Sequence, residues 1–284
     1  MVKFGPAGQD DTFPTIHKSV LELPEYLAAR GLTALEYQCG HGIRVGEKTA
    51  RALGEKAKEH GITISLHAPY YISLSSPEED KRLNSLNYIR DAAKVLEWMG
   101  GERMVIHSGS VGKGRRADAL ARSLQTLSQA QKMLDTENYS QIRICPETMG
   151  KLGQLGDLEE TLALCGVDER FLPCIDFGHL NARTQGGVND YAAMAGVLDA
   201  IENALGKERA AAFHAHFSKI EYSAKGEVRH LTFEDQAFGP DFDPLAKLLC
   251  ERKLCPTIIC ESAGRQIDDA ADMLRIYTAQ GGRE

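Results

Sequence analysis

The sequence contains no apolar run of about eighteen residues, so nothing in it reads as a membrane-spanning helix. Its opening residues, Met1-Val2-Lys3-Phe4-Gly5-Pro6, lack the charged-then-apolar pattern of an export signal. No CxxC pair occurs among the 7 cysteines. Cys145, Cys174 and Cys260 lie in apolar, strand-like runs, where cysteine behaves as a small buried hydrophobe. These absences point to a reducing, cytoplasmic compartment. An excess of positive charge is missing too. At a formal net charge of −7 the chain has no general attraction for nucleic acid, so a DNA-binding role needs a local basic rim or bound metal ions. No Pro/Ser-rich linker, low-complexity tract or internal repeat divides the chain.

What is present is a long alternation of strand-like and helix-like segments. With 284 residues, 43% of them hydrophobic, the chain can bury a large core. Short apolar runs predict strands over 2–4, 34–38, 62–66, 104–106, 142–145, 171–175, 211–213 and 257–260. Amphipathic patterns predict helices over 19–30, 46–60, 78–99, 117–134, 158–165, 191–204, 243–252 and about 268–278. Ser75-Ser76-Pro77 supplies a cap and an early proline for the third of these. Strands that alternate with helices argue for a parallel sheet. Eight such units at this length argue for a single α/β domain over 1–284, a closed (β/α)8 TIM barrel.

The sixth unit shows where chemistry gathers. In Leu172-Pro173-Cys174-Ile175-Asp176-Phe177-Gly178-His179-Leu180 a buried strand ends on an aspartate, and a histidine follows three residues later. Alone, this reads as a helix-capping acid beside an ordinary histidine. The same arrangement recurs along the chain: strand three ends at His67, four at His107, five at Glu147, six at Asp176 with His179, seven at His214 and eight at Glu261. His216 and His230 follow within the seventh unit. All are usual ligands of zinc or a similar divalent ion. Barrel enzymes draw their catalytic groups from the carboxyl ends of several strands, whereas chance would scatter such residues through the helices as well. Of the 9 histidines, only His17, His41 and His60 lie outside the set. A metal site at the carboxyl face is the expectation.

His67-Ala68-Pro69-Tyr70, His107-Ser108-Gly109-Ser110, Pro146-Glu147-Thr148, Asp176-Phe177-Gly178-His179 and Glu261-Ser262, in that order and spacing, resemble the endonuclease IV family. The resemblance runs nearly end to end. It implies a metal-dependent endonuclease, built on a TIM barrel, that acts at abasic sites in double-stranded DNA, with no protein partner. It also implies two or three Zn2+ ions, with Mn2+ as an alternative. By that resemblance His67 and His107 hold one ion and share Glu147, the catalytic carboxylate, with a second. Asp176, His214 and Glu261 complete the second ion's shell, and His179 and His230 hold a third. The wider xylose-isomerase-like superfamily, with its sugar isomerases and epimerases, shares only the inner Glu, Asp, His, Glu set. One ion on Glu147, Asp176, His214 and Glu261 is therefore the rival expectation, with His67 and His107 then contacting sugar hydroxyls or serving the structure alone.

The sequence departs from the family in three places. The third metal site of the family has an aspartate two residues before its last histidine, where this chain has Val228 in Glu227-Val228-Arg229-His230. Glu227 can replace it only after a backbone shift, which the freedom of Gly226 would permit. The expectation is a weakened site held by His179, His230 and solvent. Ser108 stands where proline is usual, which affects loop rigidity alone. In His214-Ala215-His216-Phe217-Ser218-Lys219, counting back from Ser-Lys makes His214 the ligand. His216, two residues on and on the same side of the strand, competes for that place and otherwise faces substrate with Tyr70. Tyr70 and Tyr71 can stack in the gap left by a missing base or simply pack at the barrel mouth. Lys113, Arg115 and Arg116 form a basic patch that can meet DNA backbone or simply be solvated.

Overall fold

A computed structural model describes residues 1–283. Eight parallel strands form its main sheet: β1 (Lys3–Pro6), β2 (Ala34–Gln38), β3 (Thr63–His67), β4 (Arg103–His107), β5 (Arg143–Glu147), β6 (Cys174–Asp176), β7 (His214–Phe217) and β10 (Thr257–Cys260). Their order is β1-β10-β7-β6-β5-β4-β3-β2. The two ends of that order meet across a sparser seam, where the Thr33 N–H donates to the Phe4 carbonyl and the Gly8 N–H to the Glu36 carbonyl, both at 2.9 Å. The sheet therefore curls into a TIM barrel, as the alternation of segments predicts. Between β7 and β10 the chain inserts an antiparallel hairpin, β8 (Lys219–Ser223) and β9 (Gly226–Leu231). No helix among the described residues is long and apolar enough to cross a membrane.

Side chains that alternate along each strand sort into two sets. Outward-facing Leu35, Ile64, Leu66, Met104, Ile106, Ile144, Ile175, Ala215 and Ile258 join the helices in one hydrophobic cluster that draws on the chain from Val2 to Tyr277. Inward-facing residues fill the barrel in layers. Val105, Cys145, Leu172 and Cys174 form a small apolar cluster of their own. Around and above them the filling becomes polar, with Glu36, Ser65, His214 and then His67, Glu147, Asp176 and His216, all buried. Above this apolar layer the barrel interior thus becomes ionisable toward the carboxyl end of the strands.

Most predicted elements match to within two or three residues at their ends. The helices over Leu158–Cys165 and Asp243–Arg252 coincide with their predicted bounds. Three places differ. The run predicted as strand seven begins on the last residue of a short helix, Lys207–Ala211, and β7 starts only at His214. The chain after Asp176 continues directly as a helix, Phe177–Arg183, over a stretch for which no element is predicted. The helix predicted over 19–30 is a 3-10 turn, Val20–Glu22, followed by Leu23–Ala28.

The seam between β1 and β2 depends on a residue without a side chain. A Cβ on Gly5 would sit 1.8 Å from the Ala34 carbonyl oxygen, so the backbones could not approach as they do. Gly5→Ala is expected to cost about 3 kcal/mol, the upper part of the overpacking range. For a chain of this size that lowers Tm by about 6–12 °C. An unchanged melting curve would show that the seam is looser than its geometry implies.

Candidate metal centre

The carboxyl ends of β3, β4, β5 and β6 deliver His67, His107, Glu147 and Asp176, and Glu261 follows β10 directly. At β7 the register decides which histidine joins them. Asp176 is the parallel partner of His216, and Cys174 is the partner of His214. His214 consequently lies two residues deeper, and its Nε2 is 2.9 Å from Glu36 Oε2. The register thus puts His216 where His214 was expected, level with Asp176, and both rings are fully buried. The cause is the late start of β7, which moves the strand end toward Phe217.

Three groups of donors form around the barrel mouth, each with its candidate ligand atoms within 4.8 Å of one another. The first is His67, His107 and Glu147; the second is Glu147, Asp176, His216 and Glu261; the third is His179, Glu227 and His230. Glu147 belongs to two of them, and its two oxygens divide the work. Oε2 lies 3.3 Å from His67 Nε2 and 3.4 Å from His107 Nε2. Oε1 lies 3.2 Å from His216 Nδ1 and 3.4 Å from His179 Nδ1. A carboxylate placed in this way can bridge two cations. Asp176 serves twice as well: Oδ1 accepts the His179 N–H at 2.7 Å as a helix cap, which leaves Oδ2 for the cluster.

The third group is where the sequence and the structure part most clearly. In a regular strand Glu227 and His230, three residues apart, would point to opposite faces. The β8–β9 pairing instead matches Tyr222 with Glu227 and Glu221 with Arg229, so Val228 has no partner and forms a bulge. Ile220 pairs with His230, and Glu227 and His230 therefore share a face. Glu227 Oε2 lies 3.4 Å from His179 Nε2, while Val228 is 49% exposed. Gly226 opens β9 at φ 93, a backbone angle that favours glycine. Where the sequence leads one to expect two histidines and solvent, the structure brings the Glu227 carboxylate beside them.

The donor set fits divalent cations on several counts. A histidine ligand ordinarily has its outer ring nitrogen held by a protein oxygen. The Nδ1 atoms of His67 and His179 lie 2.9 Å from the Ala68 and Thr148 carbonyls, which can only accept, so each ring donates there and turns Nε2 toward the carboxylates of the candidate site. His230 Nδ1 is 2.8 Å from Ser218 Oγ. Asp176 Oδ2 is buried with no hydrogen-bond partner among the described residues, an atom suited to a cation. The charges agree. Burial pushes the Asp176 carboxyl up. Burial would raise Glu261 also, but His216 and His230 hold it at about 2. Burial favours neutral His179, yet Asp176, Glu147 and Glu227 raise it to about 10. Burial takes His107 down to about 4. Anionic oxygens crowded around free imidazole nitrogens attract positive charge, and a divalent ion supplies it in a form the histidines can ligate.

Above the donors is a cavity of about 570 Å³, lined by His67, His107, Glu147, His179, Glu227 and Glu261. Tyr70 stands at its rim, 50% exposed, with its ring stacked on His107 at 5.0 Å between centroids and 24° between planes. The ring thus packs on a histidine and keeps an exposed surface. The basic patch is less than its sequence implies. Arg116 is committed to Glu160 and to the Leu152 and Gln154 carbonyls, and Arg115 pairs with Asp118. A further grouping, Cys174 with His214 and His216, lies deeper in the barrel. Burial pushes the Cys174 thiol well up, which disfavours the thiolate that metals require.

Comparison with known proteins places this geometry in context. A family model described as "Xylose isomerase-like TIM barrel" matches residues 24–277. An uncharacterized protein of Methanocaldococcus jannaschii is 35% identical over 98% of this chain and 97% of its own length. A probable endonuclease 4 of Shouchella clausii is 29% identical over 75% of this chain and 74% of its own. Among solved structures, a D-tagatose 3-epimerase-like protein aligns with a TM-score of 0.74 at 21% identity, covering 98% of this chain and 97% of that one. Endonuclease IV from Thermus thermophilus aligns with a TM-score of 0.66 at 21% identity, covering 98% of each. At that identity the two structures speak for the fold alone.

The bulge gives the third group a direct test. Glu227→Gln removes one anionic donor from an exposed hairpin and leaves the barrel core untouched. After Zn2+ loading and dialysis against a mild chelator, the variant is expected to retain one ion per chain fewer than the parent. Equal metal content would mean that His179 and His230 hold their ion with solvent alone.

Proposed function

The chain belongs to the xylose isomerase-like TIM barrel family, and from that premise we propose that it is a metal-dependent endonuclease that hydrolyses the DNA phosphodiester 5′ to abasic sites. The observation that carries this reading is the placement of Glu147, one oxygen toward His67 and His107 and the other toward His216 and His179. A sugar epimerase of the same barrel needs only one ion, which Glu147, Asp176, His216 and Glu261 would hold by themselves. In that chemistry His67 and His107 would be left to contact sugar hydroxyls, whereas in phosphodiester hydrolysis they, like His179, Glu227 and His230, would hold a further cation. The relatives named probable endonuclease 4 support the same choice.

Divalent ions, when bound, polarise phosphoryl oxygens, lower the pKa of a water and offset charge on the leaving oxygen. The chain's own residues set the stage for that chemistry. Glu147 fixes the spacing of the first two groups to the width of one carboxylate. His67 and His179, locked through Nδ1, present Nε2 in fixed directions. Asp176 and Glu261 keep the floor anionic, so a cation retained there also holds a phosphate that a protein of net charge −7 would otherwise repel. Tyr70 offers a half-exposed aromatic face at the rim, on which an unpaired base or sugar can rest.

The test is incubation with a duplex oligonucleotide carrying one abasic site, beside a ketose under epimerisation conditions. Incision on the 5′ side of the lesion is expected. It should be lost with chelator and restored by Zn2+ or Mn2+, and no epimer should form. Metal-dependent epimerisation with intact DNA would replace this reading with the epimerase.

A further inference from the structure

One ionisable group at the heart of the barrel has no part in the chemistry above. Glu36 lies in the middle of β2, fully buried, and no lysine or arginine pairs with it among the described residues; its ion-pair partners are His214 and His216. Oε2 accepts from Ser65 Oγ at 3.0 Å and lies 2.9 Å from His214 Nε2. Oε1 accepts from Gln38 Nε2 at 3.2 Å and lies 3.0 Å from His216 Nε2. That last contact is electrostatic, since the ring N–H is not aligned on the oxygen and Nε2 has no hydrogen-bond partner among the described residues. Because β2 and β7 are not neighbours in the sheet, these contacts cross the barrel interior and do not follow its wall.

Burying a carboxylate is costly, several kcal/mol per ion by rough estimate, and an apolar filling of equal volume is often as stable. The neighbouring layer of Val105, Cys145, Leu172 and Cys174 shows that this barrel accepts such filling. Stability alone therefore does not account for Glu36. The orientation of His216 does. The other histidines with a held outer nitrogen are anchored through Nδ1 by a carbonyl or hydroxyl and turn Nε2 to the cavity. His216 is reversed: Nδ1 faces Glu147 at 3.2 Å and Glu261 at 3.4 Å, and Nε2 points down to Glu36. With no carbonyl or hydroxyl on that nitrogen among the described residues, the ring's charged outer contact is this carboxylate, with the neutral Cys174 thiol nearby.

We propose that Glu36 is a positioning residue for the metal centre, which braces His214 and His216 from below so that His216 offers Nδ1 to the ion shared with Glu147, Asp176 and Glu261. The inference rests on cation binding at that cluster and holds whichever reaction the cluster serves. Carboxylate–histidine–metal arrangements of this kind are worth about 10–100-fold in metal affinity.

The experiment compares Zn2+ binding by chelator competition in the parent chain, in Glu36→Gln and in Ser65→Ala, with melting of each metal-free protein alongside. Glu36→Gln keeps the volume and removes the charge. One site per chain is expected to bind Zn2+ about 10–100-fold more weakly. Ser65→Ala, which removes a hydroxyl from the same carboxylate without touching His216, should bind as the parent does. A Glu36→Gln protein that melts lower but binds Zn2+ with parental affinity would show a purely structural role and overturn the proposal. Should that variant fail to fold, Glu36→Asp draws the charge back by one methylene, and the same comparison applies: weakened binding supports the role, parental binding overturns it. A parent chain that binds no Zn2+ would instead remove the metal centre itself, so the two failures are distinct.

Discussion

Burial of like charge is the constraint on which the rest of this structure turns. Glu147 and Asp176 are buried at the barrel mouth beside Glu261, and Glu36 is buried below them. Carboxylates gathered in a poorly solvated interior repel one another and lose hydration. The chain answers with imidazoles: His67, His179, His214 and His216 separate the acids, and each acid has at least one ring nitrogen near it. Imidazole is the one side chain that can offset an anion as a cation or coordinate a metal when neutral. A mouth built from alternating acids and imidazoles is thus prepared for divalent ions, and Glu147, with two oxygens facing two groups, is the hinge of that arrangement.

The barrel makes the alternation possible at little structural cost. Parallel strands of period two send every second side chain inward, and neighbouring strands in register bring those side chains level, as Asp176 with His216 and His107 with Glu147. The apolar faces of the same strands supply the core against the helices. Packing and chemistry are divided between odd and even positions, so each varies independently. Only the third group lies off the strand ends, on the helix after β6 and on the inserted hairpin, and it needs a bulge to form at all.

Much of this was legible in the sequence, for a physical reason. Apolar runs of three to five residues that stop at His67, His107, Glu147 and Asp176 mark both the strand and its end. What escaped were positions where the local signal pointed elsewhere. Ala211-Ala212-Phe213 reads as the start of a strand, yet Ala211 closes a helix and β7 starts at His214, which exchanged the roles of His214 and His216. The bulge at Val228 has no signal beyond Gly226, since a one-residue shift depends on pairing with a partner strand. Glu36 lay between Leu35 and Tyr37 like any solvent-facing strand residue, and only the closed barrel shows that its side points inward. In the sequence a cap at Asp176 competes with metal binding, whereas its two oxygens allow both.

The central claim is that the mouth holds a multinuclear centre bridged by Glu147. Anomalous diffraction from crystals grown with Zn2+ tests this most directly. The account predicts two ions on either side of the Glu147 carboxylate, one reached by His67 and His107 and the other by Asp176, His216 and Glu261, with a third on His179, Glu227 and His230. A single ion on Glu147, Asp176, His216 and Glu261, with His67 and His107 unligated under saturating Zn2+, would contradict it.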